Sequence, residues 1–150
     1  MKKKLFIALF LVAIFFLPLI PQGEKKDAAK PPLGFYMLKH IMNKMLAPEY
    51  MISHLDYFSG HYYGYILRKK DGVGFPFFIK IIMDSEKLKQ EKFPAKFKEF
   101  PARKEKDGTI VVMIAQGILF GVKPPLNGYG SPRKILLKLN FEEILKNKKQ

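Results

Sequence analysis

The chain has no cysteine and no tryptophan, and of its 27 basic residues only Arg68, Arg103 and Arg133 are arginines. Without cysteine there is no disulfide, no thiol nucleophile and no thiolate metal site. With so little arginine, the basic charge mostly lacks the planar fork that grips a phosphate or a base edge in two places; lysine offers a flexible point charge instead. Histidine is limited to His40, His54 and His61. The nucleophile elbow G-x-S-x-G and the glycine signatures G-x-x-x-x-G-K-[ST] and G-x-G-x-x-G do not occur.

What is present begins with Lys2, Lys3 and Lys4, followed by Leu5–Ile20 without a charged or polar side chain. A basic start and an apolar run form the pattern of an export signal. Small residues suited to cleavage are lacking: Gly23 follows Pro21 at two positions, and Ala28 and Ala29 follow Lys26 and Asp27. The run falls just short of the roughly 17 residues a spanning helix needs, with Pro21 and Gln22 able to sit in the interface. Residues 1–23 are therefore expected to act as a signal peptide or an uncleaved membrane anchor. The lysines would hold the N-terminus in the cytoplasm. The domain would then sit on the extracytoplasmic side of the inner membrane, or in the periplasm or outside the cell after cleavage.

Residues 24–32 read as a charged linker ending in Pro31-Pro32, and 33–150 as one small domain. Past the three N-terminal lysines, 24 basic residues face 13 acidic ones, a formal charge of +11. Such a surface attracts anionic lipid, acidic polymer or an acidic partner.

The expected fold is α+β. Apolar spacing predicts helices over 34–46 and 48–59, the second from Met51, His54, Leu55 and Phe58 at i, i+3, i+4, i+7. Strands are predicted over 61–70 and 75–83 as a hairpin, over 109–122, and over 134–139. Asn140 is the expected cap of a last helix from Phe141 to about Lys146. Between them, 85–108 reads as a basic insertion that echoes Phe93-Pro94-Ala95-Lys96 in Phe100-Pro101-Ala102-Arg103; its prolines suggest extended chain. The sum is an antiparallel sheet of about four strands, packed with two N-terminal helices and a short C-terminal helix.

Three constellations bear on chemistry. His54, Asp56 and His61 hold two histidines and a carboxylate, which suits a metal, but on a helix His54 and Asp56 point in nearly opposite directions; only a strand would put them on one face. A Ser59–His61–Asp56 triad has only sequence proximity behind it. Tyr57, Phe58, Tyr62, Tyr63 and Tyr65 form an aromatic cluster able to pack the core, line a pocket or stack sugars or bases. The loop Asn127–Lys134, leading into an expected strand, reads as a turn.

The functional expectation is a non-enzymatic binding or assembly module of the cell envelope, with no cofactor, no metal and no catalytic residue assigned. Residues 5–20 would meet the membrane, and Lys96, Lys98, Arg103 and Lys104 would form the basic contact patch. The alternatives are a small hydrolase or metal-dependent enzyme around His54, Asp56 and His61, and, ranked last, a nucleic-acid-binding protein.

Overall fold

Seven strands and four helices order the described residues, 33–146, of the computed structural model. The expected signal or anchor over 1–23 and the linker over 24–32 lie outside the described residues. In chain order the elements are α1 (Phe35–Leu46), β1 (Tyr50–Phe58), β2 (His61–Arg68), β3 (Gly74–Ile81), α2 (Ser85–Gln90), β4 (Ala95–Phe97), β5 (Phe100–Lys104), β6 (Ile110–Ala115), β7 (Ile118–Val122), α3 (Pro132–Lys138) and α4 (Phe141–Lys146). All strands join one antiparallel sheet in the order β1-β2-β3-β7-β6-β5-β4.

This corrects the expected four-stranded sheet with two leading helices. The largest difference is 48–59, which forms strand β1 instead of a second helix. Tyr50 and Ile52 are buried, and past the bulge at Ser53 the buried residue is Leu55, with Tyr57 half-buried. The extra residue shifts an alternation of period two by one place, and the shifted pattern imitates helical spacing. Ser59-Gly60 closes β1 onto β2 with both residues at positive φ, 51° and 82°. A two-residue hairpin turn takes that backbone when its twist matches the flanking strands.

The insertion adds two more strands. Its two echoing segments face each other, Ala95 opposite Ala102 and Phe97 opposite Phe100, so the extended chain is hydrogen-bonded as β4 and β5. The single strand expected over 109–122 folds back at Gly117 as β6 and β7. The strand expected over 134–139 is helix α3. Pro132 occupies its first turn, where a missing N–H costs nothing, and Ile135, Leu136 and Leu139 are buried while Leu137 is exposed. Helix α1 and the hairpin β2–β3 lie where periodicity places them. Asn140 Oδ1 accepts from the N–H groups of Glu142 and Glu143 at the start of α4.

Helices α1, α3 and α4 cover one face of the sheet. Alternate strand residues, among them Ile66, Phe77, Ile79 and Phe120, meet Leu38, Met42, Ile135 and Phe141 in one core cluster. Phe120 stacks on Phe77 (5.8 Å) and tilts against Phe141 (5.7 Å). Tyr62 is fully buried; its hydroxyl accepts from the Leu33 N–H (2.8 Å) and donates to the Leu33 carbonyl (2.7 Å), tying the start of the described chain to the sheet. Burial pushes that phenol up to about 12.

The opposite face is divided. β3 and β4 are separated by β7, β6 and β5, so the connection through α2 must cross the sheet. Asp84 caps α2 by accepting from the N–H groups of Glu86 and Lys87. Beyond it, Glu91 pairs closely with Arg103 of β5 and more loosely with Lys80 of β3 (3.9 Å), and Arg103 lies over the Phe93 ring. Val111 and Leu119, which point to this face, are fully buried. Over β1, β2 and β3 the face stays open.

Candidate functional site

The open part of that face is an aromatic groove of about 720 Å³. Its floor follows from register. Asp56, Tyr63, Phe78 and Gly121 are cross-strand neighbours in one row; His61 and Lys80 form the next row on one side, and His54, Tyr65 and Pro76 the next on the other. Lys123 follows β7 and donates its backbone N–H to the Pro76 carbonyl, which puts its side chain on the rim beside Leu126. Tyr63 and Tyr65 remain 46% and 42% exposed although they sit mid-sheet, so their rings are accessible surface and not core.

Gly121 makes room for this floor. A Cβ there would meet the Phe78 ring at 2.2 Å, so the ring lies flat over the glycine backbone. On the covered face Gly64 does the corresponding job: a Cβ would strike the His54 carbonyl oxygen at 2.3 Å, beside the β1 bulge, and the Phe77 ring at 2.6 Å.

His54 and Asp56 share the open face because β1 is a strand. His54 Nε2 lies 2.5 Å from Asp56 Oδ2, with side chains 59% and 66% exposed. At that exposure the pair adds little stability, but it presents a hydrogen-bonding group beside the tyrosines. His61 lines the same groove one row beyond Asp56 and two from His54, and its Nδ1 accepts from the Ile81 N–H at 3.4 Å. No cluster of three or more metal-ligating His, Asp or Glu side chains forms among the described residues, so the three do not converge on one point. Asp56 engages His54 and not His61, and Ser59 is a turn residue. The aromatic cluster is split by alternation: Tyr57 and Tyr62 pack together under the helices (4.8 Å), while Phe58, Tyr63 and Tyr65 face out.

The four basic patch residues are dispersed. Lys98, at the β4–β5 turn, donates to the carbonyls of Leu137 and Leu139 and so satisfies the end of α3. Arg103 is held by Glu91 and Glu105. Lys96 and Lys104 are exposed on different strands. The groove's own cations, Lys80 and Lys123, come from segments 43 residues apart and only the sheet order brings them to one cavity. A sequence signal for the floor did exist in Tyr63 and Tyr65, two apart in a strand with Gly64 between them.

The loop after β7 is latched to the β2–β3 turn. Arg68 makes a two-point contact with Asp71 (2.8 and 2.7 Å) and donates to the Tyr129 carbonyl (2.9 Å). The Arg68 guanidinium holds the Asp71 carboxyl below its ordinary range. The loop enters a helix and not the expected strand, but α3 is only seven residues long and starts with Pro132, which lacks an N–H to offer an anion.

Among the described residues no helix is long and apolar enough to cross a membrane. No family model matches the chain, and neither a curated protein nor a solved structure is similar to it.

Proposed function

We propose that this chain is a non-enzymatic binding module that acts outside the cytoplasm, carried there by its N-terminal segment, and that the open sheet face binds an anionic ligand. The observation that carries the reading is the groove itself: exposed Tyr63 and Tyr65 beside Phe78, bordered by Lys80 and Lys123, on a chain of formal charge +14. Aromatic faces supply contact area at low conformational cost, and lysines at the border supply attraction and a salt-dependent on-rate.

The test uses the full-length chain in detergent micelles. Binding to a panel of anionic polymers and anionic vesicles is measured by titration calorimetry at low and physiological salt. K80Q/K123Q should weaken binding about tenfold, whereas K96Q/K104Q, on the dispersed patch, should change it less than twofold. Equal losses from both pairs would make the interaction one of general charge and remove the groove. Intact mass in fractionated cells tests the location: the full-length mass in the membrane fraction or a shortened extracytoplasmic form supports it, and full-length protein in the cytosol refutes it.

A further inference from the structure

We infer that the groove's ligand is an acidic polysaccharide, a chain of sugar rings bearing carboxylates, bound with its rings over Tyr63 and Tyr65 and its carboxylates toward Lys80 and Lys123. The inference rests on the open face being the binding surface and adds the ligand's chemistry to it.

Three features select this class. The first is spacing. Pro76 and Lys80 are four residues apart on β3, and Lys123 is hydrogen-bonded at Pro76, so the backbones carrying the two lysines are separated by about 13 Å along the strands. The interval suits an extended ligand with more than one negative group better than a single small anion.

The second is what lies between the cations. Tyr63, Tyr65 and Phe78 present rings, and a sugar's C–H face, which carries slight positive charge, complements the negative face of an aromatic ring. A polypeptide of acidic side chains has no such rigid face to offer.

The third is the Asp56–His54 pair in the same floor. Asp56 is an acceptor in a cationic groove. It accepts from sugar hydroxyls, which neither an acidic polypeptide of glutamates nor a deoxyribose-phosphate backbone offers along its length. The groove's cations are the lysines Lys80 and Lys123, without the arginine fork that favours phosphate. Glu91, 3.9 Å from Lys80, is already held closely by Arg103, which leaves Lys80 loosely paired and 45% exposed at the groove's border.

Titration of the full-length chain in micelles with oligogalacturonate, its methyl-esterified neutral form, polyglutamate and single-stranded DNA decides the matter. Oligogalacturonate should bind about tenfold tighter than polyglutamate of equal charge and than its neutral ester. Y63A should weaken oligogalacturonate about tenfold while leaving polyglutamate within twofold. D56N should weaken the glycan and strengthen DNA. Thermal midpoints of Y63A and D56N close to that of the parent chain verify folding, and Y65A serves in place of Y63A where that midpoint falls. Polyglutamate equal to the glycan, or DNA bound tighter through Lys80 and Lys123, would overturn the sugar assignment while leaving the open face as an anion surface. Binding of no member of the panel would remove both.

Discussion

The same strands build two unlike faces. Under α1, α3 and α4, Phe75, Phe77, Ile79 and Phe120 are at most 2% exposed. One residue along, Pro76, Phe78 and Lys80 line a groove together with Tyr63 and Tyr65. Composition does not distinguish the faces, since both are rich in rings. What differs is what covers them and how their polar atoms are satisfied. The buried phenol of Tyr62 makes two backbone hydrogen bonds, whereas Asp56 and His54 satisfy each other at the surface. A face packed to crystal density holds the fold together, and an uncovered face of rings and charges is free to be selected for contact.

The contrast can be broken from either side. The largest effect is expected from F120A, which empties the point where the Phe77 and Phe141 rings meet; it should lose about 3–5 kcal/mol in urea unfolding, against less than about 1 kcal/mol for Y65A on the open face. The two close-approach glycines come next. G64A drives a Cβ into a backbone carbonyl that cannot move and should cost about 3 kcal/mol, whereas in G121A the Phe78 ring can swing into the groove, for about 1 kcal/mol and a measurable loss of ligand binding. An equal cost at both sites would mean that the groove floor is as rigid as the core.

Y62F should cost about 1–2 kcal/mol, because the Leu33 N–H loses its acceptor inside the fold. It also carries a pH signature. The folded phenol titrates at about 12 against an ordinary 10.0, so the native state holds this proton more tightly than the unfolded chain. The stability this provides is complete below pH 10 and is lost as the pH rises through about 12; that alkaline arm should disappear from the unfolding profile of Y62F. The smallest stability change is expected from K80Q/K123Q, within about 0.5 kcal/mol, since both lysines border a surface that the core does not need.

Much of the scaffold could be read from residue order alone: α1, the β2–β3 hairpin and the capped α4 follow from local period and chemistry. The errors share a physical cause. In β1 a bulge disturbed the alternation that identifies a strand. In α3, Ile135, Leu137 and Leu139 do alternate, but burial fell on Ile135, Leu136 and Leu139, and a seven-residue segment is too short for period alone to decide. β4 and β5 lay hidden because two prolines near a hairpin resemble unpaired extended chain. The site was legible in part. His54, Asp56 and His61 stand out in the sequence as one constellation and Tyr63 as part of an aromatic cluster, but the common face of His54 and Asp56 depends on β1 being a strand. Lys80 and Lys123 depended on β7 lying beside β3, a long-range pairing that local order does not encode.

Ser53 gives the groove an unusual inheritance. Before it, even-numbered positions of β1 point inward; after it, odd-numbered ones do. The residue is a parity switch for everything up to the turn at Ser59-Gly60. Deleting it would join Ile52 directly to His54 in a regular alternation, with His54 and Asp56 still toward the groove and Leu55 and Tyr57 still toward the core; flattening the bulge with Ser53 retained would instead send His54 and Asp56 inward. The display of His54 and Asp56 therefore survives the loss of the extra residue but not the loss of the bulge that absorbs it.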